Sequence, residues 1–533
     1  MMRILPAAIA LLCIVGVAVD ASLAADLPVG QIDRFIEQKW QQADVQPAEP
    51  ISDSRFVRRL YLDLVGRIPT PQERETFLAD QRPDKREHLV DLLLGSEDHV
   101  VHFADLFDTL LMGRGSDRDY CNRREHQWRS WLEQAFRENR PWDEVVQEIL
   151  LARPASPDER GTVWFLYERE NDHQKIAEAV APAFFGIRIE CAQCHDHMLA
   201  GEIEQRHYWG LVAFFNRSEN AKTENGPRVK ESAIGGFSEF AKLSGESTPN
   251  LLTFFGADVV DEPRPDADQK QEDLPELYVE AALKGEPQVP KFSRREQFVS
   301  HVANGHPLIA RAFVNRMWAI LLGRGIVHPF DEMDSTHEPS HPELLDWLAQ
   351  DFRDSGHDIR RLIRMIVLSR HYALDSRRPE GIDDPALFAW SLERPLTAEQ
   401  LARSMQVALH GSFRNDHPLF RQLRETLPDV LPETVGTGVD AALFLSNNPA
   451  VNTFIAESDE PSHLIPRIQQ LDTPAEQVTA LIVTLFGRPP ADDEIERIAG
   501  FVATAEPGSQ ARSQRWQHVV WALLTSAEFR FNH

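Results

Sequence analysis

Leu60-Tyr61-Leu62-Asp63-Leu64-Val65-Gly66-Arg67-Ile68-Pro69-Thr70-Pro71-Gln72-Glu73 is the stretch on which the fold turns. Phe56, Leu60 and Leu64 stand at helical spacing, so residues 55–65 read as a helix. Thr70 and Glu73 are spaced as a capping box with Pro71 at the first helical position, which starts a second helix at Pro71. The same order returns far downstream in Leu481-Ile482-Val483-Thr484-Leu485-Phe486-Gly487-Arg488-Pro489-Pro490. An acidic helix follows each copy. Leu89-Val90-Asp91-Leu92-Leu93-Leu94-Gly95-Ser96 then matches Val519-Val520-Trp521-Ala522-Leu523-Leu524-Thr525-Ser526, with a third echo at residues 362–369.

A second unit also repeats. Trp131-Leu132-Glu133-Gln134-Ala135-Phe136-Arg137 resembles Trp347-Leu348-Ala349-Gln350-Asp351-Phe352-Arg353. In both, a short break leads to an aspartate, Asp143 or Asp358, and another amphipathic helix. Recurring helix pairs imply a mainly α, multi-helical body in which each unit buries its apolar face against neighbours. Between Phe215 and Phe292 the pattern changes, with Gly235, Gly236, Gly245, Pro249 and Gly256 interrupting it. This predicts a small irregular or β-containing insert. The stretch 258–273 is rich in Asp, Glu and Pro and lacks the spacing of a calcium loop, so it reads as a solvated linker. The expected divisions are a leader at 1–25, an N-terminal helical domain at 26–216, the insert and acidic linker at 217–291, and a C-terminal helical domain at 292–533.

Composition narrows the function classes. The chain has 533 residues, 42% of them hydrophobic, and a net charge of −27. That is globular rather than disordered, and acidic enough to repel nucleic acid and anionic lipid. The N-terminus opens with Arg3, continues through an apolar run at 4–19, and offers the small residues Ser22, Ala24 and Ala25 for cleavage. This is the pattern of a secretory signal peptide, and it predicts export to the periplasm or cell envelope, or secretion. No later stretch is long and apolar enough to span a bilayer. Removing Cys13 with the leader leaves Cys121, Cys191 and Cys194, an odd number that excludes a fully paired disulfide framework within one chain.

The most specific chemical motif is Cys191-Ala192-Gln193-Cys194-His195. As C-x-x-C-H it is the attachment signature of a c-type haem, with two thioethers and His195 as an axial ligand. His207, His126, Met317 and Met333 are unplaced candidates for the opposite axial position. A second reading has Cys191 and Cys194 holding zinc or iron with His195, His197 or His207, completed by Cys121 or His126. A third is a Cys191–Cys194 disulfide, redox-active or structural. Asp331, Asp334, His337, Glu338 and His341 form another cluster of potential ligands, but Ser340 and Glu343 at capping-box spacing, with Pro342 between them, place His341 at a helix start. Arg316, in a segment that reads as a helix, would need a carboxylate if buried, with Asp331 the candidate. Glycine-rich phosphate loops, H-E-x-x-H and G-x-S-x-G are absent, and catalytic residues are not assignable.

Arg58-Arg59-Leu60-Tyr61-Leu62-Asp63-Leu64-Val65-Gly66, Cys191-Ala192-Gln193-Cys194-His195-Asp196-His197 and Tyr208-Trp209-Gly210-Leu211-Val212-Ala213-Phe214-Phe215 together resemble the domain of unknown function 1549, a planctomycete cytochrome-C-related family. His306-Pro307-Leu308-Ile309-Ala310-Arg311-Ala312-Phe313-Val314-Asn315-Arg316-Met317-Trp318, Gly323-Arg324-Gly325, Ser340-His341-Pro342-Glu343-Leu344-Leu345-Asp346-Trp347-Leu348 and the ending Ser526-Ala527-Glu528-Phe529-Arg530-Phe531-Asn532-His533 resemble its companion, the domain of unknown function 1553. The resemblance implies an exported protein of planctomycete-type bacteria and carries no assigned reaction. Where that family commonly has a Pro-aromatic pair after the second histidine, this chain has Met198-Leu199. The leading expectation is an exported cytochrome-c-related protein with haem c and an unknown redox or envelope protein partner. The alternatives are an envelope scaffold with a structural Cys/His metal site and, last, an envelope hydrolase.

Overall fold

The computed structural model describes residues 29–242, 245–266, 270–427, 430–431, 448–456 and 463–533. The leader at 1–25 and part of the 258–273 linker lie outside the described residues. The fold is mainly α, with strands confined to small two-stranded pairs.

The first repeat is a four-helix unit. Its N-terminal copy comprises Asp53–Val65, Pro71–Ala79, Lys85–Leu94 and Glu97–Met112; its C-terminal copy comprises Pro474–Phe486, Asp492–Ala503, Gln510–Leu524 and Ala527–Arg530. Gly66 and Gly487 end the first helix of each at φ 68° and 70°, a left-handed conformation that glycine adopts without a Cβ clash. The following arginines then do the same job. Arg67 forks onto Glu73 at 2.8 Å through both terminal nitrogens and reaches Asp98 at 2.9 Å. Arg488 forks onto Glu494 at 2.8 Å and reaches Glu528 at 2.5 Å. Glu73 also closes the expected capping box with Thr70, and Glu494 accepts from the Ala491 backbone N–H at 2.8 Å.

These two copies grip one another. Arg58, buried in the first, donates to the carbonyls of Leu485 at 2.9 Å and Phe529 at 3.2 Å, while Arg74 and Ser54 both donate to the Gly487 carbonyl. Cationic donors meet the carbonyls that a helix C-terminus leaves unpaired, with the macrodipole in their favour.

The second repeat pairs Trp128–Arg137 and Trp142–Leu151 with Pro342–Asp354 and Ile359–Val367. The two inter-helix turns face each other: Asn139 donates to Asp358 at 2.7 Å and accepts from the Arg360 N–H, and His357 lies 3.2 Å from Asp143. Beneath them Trp142 packs on Phe313 and Phe313 stacks on Phe352, with centroids 4.5 and 5.1 Å apart. One core therefore runs from Ile32 to Ala389, across both halves of the chain. A second gathers Leu62 and Ile68 with residues from Leu396 to Phe529.

Asp63 sits at the junction, its side chain 3% exposed. It accepts from both terminal nitrogens of Arg394 at 2.7 and 2.9 Å, from the Tyr372 hydroxyl at 2.7 Å and from Asn532 at 2.8 Å. Arg394–Pro395 pairs with Phe531–Asn532 as a short antiparallel bridge beside it.

The insert contains the expected β-structure, chiefly a hairpin of Ser218–Thr223 with Gly226–Glu231. The acidic linker departs from the solvated reading at one point. Asp258, Asp261 and Asp266 are exposed, but Glu262 bridges the buried Arg217 at 2.8 Å and Arg294 at 2.6 Å. Buried guanidinium charge requires a counterion, and the linker supplies one. Among the described residues no helix is long and apolar enough to cross a membrane.

Candidate functional site

The helix His173–Val180 widens into a π-turn at Ala181–Phe185 and stops at Gly186, φ 65°. A Cβ at Gly186 would lie 2.9 Å from Ala312, so the small residue also permits close packing of the second half. Ile187 and Ile189 then point into the core while Arg188 between them points out to Asp331 at 3.0 Å and Glu332 at 3.5 Å. A single 3-10 turn, Glu190–Gln193, follows.

That turn sets the cysteine geometry. Cys191 lies within the turn and Cys194 follows it as the C-cap, so the two cysteines flank Ala192 and Gln193. Both are exposed and neither forms a disulfide. Ala192 between them is buried, and the Gln193 carbonyl accepts from Trp209 Nε1 at 3.0 Å and Gln205 Nε2 at 3.1 Å. Asp196 holds the other end by accepting from the Gln205 N–H at 2.8 Å, at the start of the helix Gln205–Phe215. Beyond it Met198 and Leu199 are 84% and 78% exposed, an apolar tip on the same loop.

Hydrogen bonds separate the three histidines. His195 Nδ1 lies 2.7 Å from the Asp196 carbonyl, which can only accept, so Nδ1 donates there and in the neutral ring Nε2 keeps its lone pair. His197 Nδ1 accepts from the Ala200 N–H at 2.8 Å, and His207 Nδ1 accepts from the Glu204 N–H at 3.1 Å. In their neutral forms those two rings carry the proton on Nε2 and offer no free lone pair. His207 is also buried against Phe255, and burial holds its pKa below the usual imidazole value. His195 alone is prepared as a ligand.

The other candidates are dispersed. Cys121 is exposed on the helix Asp117–Glu125, and His126 at the end of that helix stacks on Trp164 with centroids 4.5 Å apart. Met317 and Met333 belong to the main core. Among the described residues no three His, Cys, Asp or Glu side chains come together as a metal-holding group.

The second ligand-like cluster also divides. Asp334 Oδ1 accepts from the N–H of Thr336 and lies 3.0 Å from His337, whose other nitrogen is 3.2 Å from Glu332, while Glu338 is exposed. His341 is the N-cap of Pro342–Asp354, buried against Phe388, with its pKa pushed down to about 4 chiefly by burial. The expected Ser340–Glu343 capping box is not made: Ser340 turns instead to the Ile326 carbonyl. Arg316 is buried, but the candidate carboxylate of Asp331 pairs with Arg188, and Arg316 donates to the carbonyls of Ala183 at 2.6 Å and Pro182 at 2.7 Å.

Folding does bring the loop carrying Asp331 and Asp334 against the cysteine loop. The Met333 N–H donates to the Gly186 carbonyl at 2.8 Å, and Ser335 donates to Glu202 at 2.7 and 2.8 Å through its N–H and hydroxyl. Sequence reading had no signal for this juxtaposition, since the segments lie over a hundred residues apart. It also passed over Asp63 as a node, reading it only as part of a helical repeat.

The molecule is thus a mainly helical protein in which the second half braces a surface Cys-x-x-Cys-His loop of the first. Residues 31–220 match the model of the family PSCyt2, a protein of unknown function (DUF1549), and residues 294–421 match that of PSD1, a protein of unknown function (DUF1553). The chain carries these two domains in the order its motifs implied. Comparison with curated proteins and with solved structures returned no match.

Proposed function

We propose that this is an exported cytochrome-c-related protein in which Cys191, Cys194 and His195 would hold haem c, and that it serves in electron transfer or redox sensing. The observation that carries the reading is the His195 Nδ1–H···O=C bond at 2.7 Å, which leaves Nε2 of the neutral ring available on the exposed loop that also carries two free thiols. Such a bond fixes the tautomer of a ligating imidazole and raises its basicity. When bound, the haem supplies one-electron redox chemistry. The chain's own residues hold the attachment loop: Gln205 and Trp209 tether the carbonyl between the cysteines, and Ile187, Ile189 and Ala192 anchor it to the core. The leader-like pattern at 1–25 supports export, which the attachment chemistry requires.

Expression with c-haem maturation machinery tests the proposal. The expected outcome is a Soret band and haem that stays with the polypeptide in a denaturing gel, both lost in Cys194→Ser. Protein that matures without haem would reject the proposal, and bound zinc without iron would favour the structural-metal alternative.

A further inference from the structure

Met198 and Leu199 are 84% and 78% exposed, more than any other large hydrophobic side chain among the described residues; Leu92 follows at 59%. They are neighbours in the chain and stand on the loop that carries Cys191, Cys194 and His195. Single apolar side chains scattered in water are ordinary, whereas an adjacent pair at this exposure marks a surface that something else covers.

The loop is built to hold the pair out. His197 Nδ1 accepts from the N–H groups of Leu199 at 3.4 Å and Ala200 at 2.8 Å, and the His197 N–H donates to the Ile203 carbonyl at 2.8 Å. Ala200 and Ile203 are buried, and Glu202 between them is tied to Ser335 of the bracing loop. The base of the tip is fixed by these contacts while its two side chains stay in water. Burying a Leu or Met side chain is worth about 1.5–3 kcal/mol, a gain that folding of this chain leaves unused at both positions.

Charge indicates what would take that gain. From Glu190 to Arg206 the loop carries Glu190, Asp196, Glu202 and Glu204 against Arg206 alone. Arg206 forks onto Glu204 at 2.9 Å, which leaves Glu190, Asp196 and Glu202 outside any ion pair among the described residues. Exposed Glu338 adds to them from the bracing loop. In a chain of net charge −27, an acidic surround repels a second copy and an anionic bilayer and attracts a cationic surface.

We propose that the Met198–Leu199 tip and its acidic surround are the docking face for a small cationic electron-transfer protein, one whose cofactor edge is an apolar patch ringed by lysines. The choice of an electron carrier rests on the redox reading of the Cys191–His195 loop. Such encounters bury little area, are steered by opposite charge and weaken with salt, so two apolar side chains at the centre suffice to fix the contact.

A basic single-haem cytochrome c is the probe, titrated calorimetrically at low ionic strength into the full chain expressed with c-haem maturation machinery. The haem content of the same preparation is read from its Soret band, so failure to dock and failure to attach haem are separate results. Saturable, one-to-one binding is expected, lost as salt is raised and weakened about tenfold in the double variant Met198→Ser, Leu199→Ser, the loss typical of truncating a central apolar contact. Both side chains are in water, so this variant should keep the wild-type thermal melt. Absence of saturable binding would overturn the proposal, as would binding that the double variant leaves unchanged, which is general attraction between opposite charges. Self-association in sedimentation, or binding to phosphatidylcholine vesicles, that the double variant abolishes would also overturn it, by giving the tip to a second copy or to a bilayer.

Discussion

At the scale of single residues, the deciding feature is who accepts and who donates. His195, His197 and His207 look equivalent in the sequence, yet one backbone carbonyl and two backbone N–H groups assign them different tautomers. Asp63 is decided in the same way. Within its own helix it is one polar residue among leucines; in the folded chain it collects Arg394, Tyr372 and Asn532, all brought from more than 300 residues away. Asp63→Asn keeps the shape and removes the charge, so the buried Arg394 loses its counterion. A destabilisation of about 3–5 kcal/mol is expected from urea unfolding. A loss under about 1 kcal/mol, the size of an exposed pair, would show that the node is not an ionic one.

At the scale of elements, the first repeat was legible because its signals are local: apolar spacing, a glycine stop, a Thr-x-x-Glu cap. Its two copies nevertheless make different demands on their glycines. A Cβ at Gly487 would meet nothing closer than the Ser54 carbonyl at 3.7 Å, whereas one at Gly66 would lie 2.4 Å from His102 Nδ1. Gly487→Ala should therefore cost only the left-handed strain, about 1–2 kcal/mol. Gly66→Ala adds a collision with a buried ring, so its urea midpoint should fall further; equal midpoints would mean that His102 gives way freely. Ser340 and Glu343 show where local signals stop. Their spacing is that of a capping box, but the Ile326 carbonyl offers Ser340 a tertiary partner, and that contact wins over the cap.

At the scale of the whole molecule, the interior holds several neutral imidazoles. Burial, the leading cause in each, pushes the pKa of His99 to about 4, His102 to about 3 and His371 to about 3, from the ordinary 6.5. Below pH 6.5 the unfolded chain takes up these protons and the folded chain does not. Stability is therefore full above about pH 6.5 and declines as pH falls toward 3, with a limiting slope of about 1.4 kcal/mol per pH unit for each such ring. Urea unfolding at pH 7 and pH 5 should show that decline, made shallower in His371→Phe; an unchanged free energy between the two would show that the rings protonate in place. The helical character, the repeats, the cap at Thr70, the two-family order and the one motif with specific chemistry were all legible in the chain, because each is written in spacings of a few residues. It took the folded chain to set which histidine keeps a free lone pair in its neutral form, that the Asp331–Ser335 loop braces the cysteine loop, that Arg316 donates to backbone carbonyls while Asp331 pairs with Arg188, and that both chain halves share one core. Those outcomes depend on partners hundreds of residues apart, and a carboxylate or carbonyl can be claimed by only so many donors.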